Sequence, residues 1–379
     1  MAKKKKNRNE LSRLPQCGSE LMRALYESFL MARRGKLNTN DEFKFEMNWY
    51  ENLEQLAEDI IARRYKPSRS KAFIISNPVY REIFAAPFRD RIVHHLLYAI
   101  VAPWWDKRFV PDATSCRNNK GTDYAVARLQ GFMRKASLNG QRKAYVIKGD
   151  ISGYFMSLKR GLLYEKIMWG LERQFPNKGW LYVLCAYLWK EIIFDDPIDG
   201  VRIAGKISDW QVLPLNKSLF NQPEGQGIVI GNLTSQLLSN VFMNDFDWYV
   251  KRALGFNYYG RYVDDFFIVV AEDEVSRAQT AMKKEIPEFL ASMGLTLHPK
   301  KHYLQEVKKG CPFLGKMVHL DANLPGKRYR KNMKEAISSF ESGNGDIETI
   351  ISYIGMAKHM AAKKLLARAF DQVGWKYRY

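Results

Sequence analysis

Two runs rich in tyrosine, phenylalanine, isoleucine and valine, Tyr258–Val263 and Phe266–Val270, are separated by nothing but Asp264 and Asp265. Runs of that composition read as β-strands, and so short a joint reads as a hairpin with both carboxylates at its tip. Adjacent anions repel and are costly to desolvate, so the tip needs solvent, a basic partner or a metal ion beside it. A chain of this length holds roughly one adjacent acidic pair by chance, and a second occurs at Asp195 and Asp196. Pro197, Asp199 and Gly200 follow that one, which is turn chemistry, so it is expected to be a solvated loop. The flanks set the first pair apart.

Composition narrows the setting. The 379 residues are 46% hydrophobic, enough for one large core or roughly two to three smaller subdomains. Lys and Arg number 60 against 40 Asp and Glu, a net charge of +20. That balance points to a polyanionic partner, nucleic acid first. A membrane surface is the rival, but no apolar run reaches the ~18 residues that a spanning helix needs. The opening MAKKKKNRNELSRLPQCGSE also lacks the apolar middle of a signal peptide, so a cytoplasmic protein is expected. Cys17, Cys116, Cys185 and Cys311 form no CxxC pair and read as free thiols rather than a zinc site.

Four regions follow one another without an internal repeat: a basic tail (1–19, with Lys3–Arg8), a stretch over 20–144, a stretch over 145–315, and the remainder, 316–379. Apolar residues at Leu53, Leu56, Ile60 and Ile61 have helical spacing. VYREIFAAPFRDRIVHHLLYAIVAPWW passes from an extended segment into a helix after Pro87. Strands and helices alternate over 145–315, and the C-terminal stretch reads as amphipathic helices with Lys and Arg on one face.

Nucleotidyl transfer is commonly run by two magnesium ions held between carboxylates from separate strands. The hairpin therefore calls for a second strand ending in Asp, and RKAYVIKGDISGYF supplies one. Tyr145–Lys148 alternate like a strand, Gly149 admits a close backbone approach, and Asp150 stands at the end.

With these two segments in place the chain resembles a reverse transcriptase. IKGDISGYF is similar to the first aspartate motif of that family's palm, and RYVDDFFIVV to the second. LHPKKHYLQ, PFLG, REIFAAPFRDRIVHHLL and SCRNNKGTDYA extend the resemblance across most of the chain. It implies an α+β right-hand polymerase: N-terminal helices and fingers over 20–144, a palm with an antiparallel sheet over 145–315 carrying an insertion-like segment at about 192–226, and a helical thumb over 316–379. It implies Asp150 and Asp264 as ligands of two Mg²⁺ ions, with Mn²⁺ able to substitute. The backbone carbonyl of Ile151 would assist, and Asp265 would be the less essential catalytic neighbour. Arg81, Arg117, Lys120 and Lys300 would face the incoming nucleotide, Arg91 would be a further basic residue of the fingers motifs, and Phe313, Leu314 and Gly315 would grip the primer. Phe155 would exclude a ribose 2′ hydroxyl, although a core phenylalanine would look the same.

One motif departs from the general family pattern. Where most members carry Gln-Gly beside the templating pair, the register of SQLLSN puts Ile230 and Gly231; Gln226 and Gly227 lie four residues too early. IGNLTSQ, with RIAGKISDW and KSLFNQPEGQG before it, resembles reverse transcriptases of diversity-generating retroelements, which copy template RNA into cDNA with errors at adenines. That resemblance implies template RNA, a cDNA or primer strand, deoxynucleoside triphosphates and a small basic accessory protein as partners, with no membrane. Two alternatives stay open: a related bacterial reverse transcriptase in antiphage defence, and a non-catalytic RNA-binding relic.

Overall fold

A computed structural model of the chain describes residues 18–34, 40–76, 79–301 and 303–371. The basic stretch Lys3–Arg8 and Cys17 lie outside the described residues; Cys116, Cys185 and Cys311 are free thiols. The fold is mixed α+β. Its strands are β1 (Lys71–Ile75), β2 (Arg81–Ala85), β3 (Ala144–Asp150), β4 (Arg202–Ile203), β5 (Tyr259–Tyr262), β6 (Asp265–Ala271), β7 (Tyr303–Glu306), β8 (Cys311–Phe313), β9 (Lys316–Val318) and β10 (Asn323–Pro325). They form three sheets, ordered β2-β1-β4, β5-β6-β3-β7 and β10-β9-β8. Two compact units share the chain: Met1–Val110, Ser152–Asp245 and Ser292–Leu295 in one, Pro111–Ile151, Phe246–Ala291 and Thr296–Tyr379 in the other.

In the first unit, the helical spacing read from the sequence becomes the helix Trp49–Ile61, which buries Leu53, Leu56, Ala57 and Ile60. The passage from strand to helix at Pro87 is also found: β2 ends at Ala85 and a helix runs from Phe88 to Asp106. Proline biases the residue before it towards extended backbone and is tolerated at a helix start, which sets the boundary. The first free N–H of that helix, on Phe88, donates to Asp41 Oδ2 at 2.6 Å, satisfying a donor that has no intrahelical acceptor.

Buried Glu82 on β2 organises the segment that precedes Ile230. Its carboxylate accepts from Trp210 Nε1 (2.7 Å), Ser218 Oγ (2.6 Å) and Leu219 N (2.7 Å). Three donors are what make a buried carboxylate tolerable, and they tie the short turns Ile207–Val212 and Leu219–Asn221 to the β1–β2 hairpin.

The second acidic pair corrects the expectation of a solvated loop. Asp196 is exposed, and its carboxylate accepts from Ile198 N at 3.2 Å. Asp195 is half-buried and lines a cavity with Asp90, His94 and Arg160. Burial, and then the charge of Asp90, push its carboxyl up to about 6. The turn residues predicted the backbone correctly; what lies beneath Asp195 depends on Arg160 and, more than a hundred positions upstream in sequence, on Asp90 and His94.

In the second unit, β6 lies between β5 and β3, and every residue from Phe266 to Ala271 is buried. A near-continuous apolar run is what a strand covered on both faces requires. Phe267 and Val269 pack with Leu129, Phe132 and Met133 of the helix Thr122–Ala136. Phe266, on the other face, meets Phe246 edge-on at 5.4 Å between ring centres. Gly149 on β3 allows this packing, because a Cβ there would come within 2.4 Å of the Phe266 ring. The helices Lys327–Glu341, Ile347–Ala357 and Lys363–Asp371 enclose a core of their own around Met333, Ile337, Ile350 and Leu366. Among the described residues, no helix is long and apolar enough to cross a membrane.

Candidate active site

The two aspartate-bearing segments meet as neighbouring strands. β3 pairs antiparallel with β6 in a register that sets Asp150 opposite Asp265, and Ile151 N donates to the carbonyl of Asp264 at 3.2 Å. The end of β3 is pinned from its other side too: His298 N donates to Asp150 O at 2.7 Å, and Ile151 bridges to Leu297.

β5 and β6 pair up to Tyr262 and Asp265, leaving Val263 and Asp264 as a two-residue turn. Val263 has φ 58°, a left-handed conformation that a hairpin turn of this length asks for and that glycine ordinarily supplies. For a β-branched residue it costs on the order of 1–3 kcal/mol. The surroundings hold it at both ends: Val263 N donates to Ser115 Oγ (3.1 Å), and Val263 O accepts from Arg261 Nη1 (2.7 Å). Arg261 in turn grips Asp247 through Nε and Nη2, both at 2.7 Å, and Tyr259 Oη donates to the same carboxylate at 2.6 Å.

Two lysines face the three carboxylates. Lys301 Nζ lies 2.9 Å from both oxygens of Asp150. Lys148 Nζ donates to Asp265 Oδ2 at 3.2 Å and to Pro312 O at 3.1 Å, and sits 5.2 Å from the centre of the Phe313 ring. Burial, reinforced by the charges of Asp150 and Asp265, pushes the Asp264 carboxyl up to about 6. Burial raises Asp265 as well, against the pull of Lys148.

Among the described residues, no three His, Cys, Asp or Glu side chains are arranged to hold a metal ion; Asp150 and Asp265 are turned onto their lysines. The donor chemistry nevertheless fits a hard divalent cation, which takes carboxylate and carbonyl oxygens. The carboxylate repulsion that adds to burial at Asp264 is also what such an ion relieves.

The segment PFLG forms the hairpin between β8 and β9. Phe313 pairs with Lys316, and Leu314 (φ 47°) and Gly315 (φ 79°) are both left-handed, as a type I′ turn demands. Through Lys148 this turn is linked to Asp265. Lys300 is exposed, with its backbone N bonded to His298 Nδ1 at 3.2 Å. Arg117 Nη1 donates to Ala113 O at 2.9 Å and Lys120 Nζ to Pro111 O at 2.6 Å.

Arg81, Phe155, Ile230 and Gly231 belong to the other unit. Arg81 is exposed at the start of β2, while Arg91 Nε bonds Ala86 O at 2.8 Å. Ile230 O accepts from Phe84 N at 3.0 Å. Gly231 (φ 133°) presses on the same residue so closely that a Cβ would come within 2.7 Å of Phe84 O. Gln226 and Gly227 lie elsewhere, bonded to the carbonyls of Met156 and Leu158. Phe155 is half-buried, edge-on to Tyr154 at 5.3 Å.

Sequence reading missed Lys148, Lys301, Ser115 and the Arg261–Asp247 pair. Strand alternation carried the signal for Lys148, two residues before Asp150 and so on the same face. Nothing local distinguishes Lys301 from Lys300, or announces that Ser115 lies beneath the turn.

Residues 76–318 match the reverse transcriptase (RNA-dependent DNA polymerase) family. The chain belongs to that family. It carries a reverse transcriptase domain, an RNA-directed DNA polymerase, which implies a nucleic-acid template, deoxynucleoside triphosphates and a divalent metal. The reverse transcriptase is similar to Protein YkfC of Escherichia coli (strain K12), with 25% identity over 298 residues, 69% of this chain and 70% of YkfC. Solved structures similar to it include the telomerases of Candida tropicalis and Candida albicans, each in complex with the TWJ fragment of telomeric RNA. They are 12% and 11% identical, with TM-scores of 0.48 and 0.49 over 85% and 84% of this chain. The matches span 59% and 58% of those telomerase chains.

Proposed function

We propose that the chain copies template RNA into cDNA by two-metal nucleotidyl transfer at Asp150 and Asp264, and that it does so with errors at template adenines in a diversity-generating retroelement. The observation that carries the catalytic part is the meeting of Asp150, at the end of β3, with the Val263–Asp264 turn across the β3–β6 ladder.

Asp150, Asp264 and the carbonyl of Ile151 would hold two Mg²⁺ ions, or Mn²⁺ in their place. When bound, such ions activate the attacking 3′ hydroxyl and neutralise the triphosphate. The chain's own residues do the rest. Lys148 keeps the Asp265 carboxylate on the side of the Pro312–Gly315 turn, which makes Asp265 the less essential acid. Phe313, Leu314 and Gly315 hold the primer. Arg81, Arg117, Lys120 and Lys300 offer positive charge to the triphosphate, the two arginines as bidentate forks. Phe155 packs against the sugar and excludes a 2′ hydroxyl. In this reading 20–144 supplies N-terminal helices and fingers, 145–315 the palm and 316–379 a helical thumb, with a small basic accessory protein as partner.

Support for the retroelement role comes from the resemblance of IGNLTSQ to the motif of those enzymes, whose Ile230 and Gly231 dock on β2. The test is cDNA synthesis by the full chain on one defined RNA, followed by sequencing. Synthesis with errors concentrated opposite adenines is expected. Synthesis with an even error spectrum would remove the retroelement role and leave the polymerase.

A further inference from the structure

The two lysines at the aspartates are held differently. Lys148 is a strand residue with 14% of its side chain exposed, fixed by Asp265, the Pro312 carbonyl and the face of Phe313. Lys301 is 55% exposed and meets both oxygens of Asp150. A cation that takes both Asp150 oxygens together must exchange with that ammonium. The backbone on either side is pinned to β3, by Leu297 and His298 before it and by β7 after it. The exchange is therefore a swing of the four-carbon lysine stem, not a movement of the loop.

We propose that Lys301 is a displaceable counter-cation: it closes Asp150 in the metal-free protein and gives way to the first divalent ion, while Lys148 stays on Asp265 throughout. The inference rests on Asp150 being a metal ligand, as proposed above. It makes Lys301 a competitor of the ion, so removing its charge tightens metal binding. A residue that merely supported the site would do the opposite when removed.

The experiment is Mn²⁺ binding to the full chain at low salt without nucleotide, read from the electron paramagnetic resonance signal of the free ion. Lys301→Met is expected to bind Mn²⁺ about two- to fivefold more tightly than the wild type, the worth of a largely solvent-exposed ion pair. Lys301→Arg, which keeps the charge and grips carboxylates in a fork, should bind no more tightly than the wild type. Unchanged or weaker binding in Lys301→Met would overturn the proposal. Asp150→Asn separates the two layers: if it leaves Mn²⁺ binding intact, Asp150 is not a ligand and the underlying reading fails, whatever Lys301→Met does.

Discussion

Arg261 and Asp247 form a doubly hydrogen-bonded ion pair with both side chains fully buried. The same guanidinium reaches the carbonyl of Val263, so the pair sits directly behind the strained turn that carries Asp264.

Removing one partner from such a pair leaves an uncompensated buried charge. Asp247→Asn should therefore destabilise the protein by about 3–5 kcal/mol, read as a lower urea midpoint at unchanged slope. A loss below about 1 kcal/mol would mean that the turn is held by other contacts.

Asp195 makes stability depend on pH. Its folded value of about 6 lies above the usual ~3.9 of an unfolded chain. The stabilisation is thus fully present below about pH 4 and is lost as pH rises through about 6. Asp195→Asn, which cannot ionise, should melt higher than the wild type at pH 7.5, by about 1–2 °C once solvent screening limits the gain to about 1 kcal/mol. The difference should shrink as pH falls below 5. A gain that grows towards acid pH would show that the ionised carboxylate is the favoured form in the fold.

Phe155→Ala should raise ribonucleotide incorporation relative to deoxynucleotide by opening space at the sugar. Measured single-nucleotide insertion with unchanged sugar selectivity would make Phe155 a packing residue for Tyr154 and nothing more.

Ile230→Gln restores an amide able to bond in the minor groove, where contact tolerates sequence but senses pair geometry. Such a bond is worth roughly 1 kcal/mol, so errors opposite template adenine should fall about fivefold to tenfold. Identical cDNA error spectra for variant and wild type would place the source of infidelity elsewhere.

Several elements in each of the two units were legible because each is written locally. The β5 and β6 runs, the strand ending at Asp150, and the strand-to-helix step at Pro87 follow from composition, alternation and proline sterics. What escaped is written in partners distant in sequence. Asp195 has an ordinary turn sequence, and its carboxyl is raised first by burial and then by Asp90, more than a hundred residues earlier. Val263 looks like a strand residue, and its left-handed backbone is sustained by Ser115 from another segment. The choice between Lys300 and Lys301 depends on how Leu297 before them and β7 after them pair with the β3 end, which no spacing rule encodes.

The most direct test of the account is RNA-templated primer extension by Asp150→Asn and Asp264→Asn at matched Mg²⁺, with folding verified by circular dichroism. Each substitution removes a carboxylate charge and should lower the rate by at least ~10³, while Asp265→Asn, whose carboxylate is held by Lys148, should lower it less. Near-normal extension by either Asp150→Asn or Asp264→Asn would contradict the site.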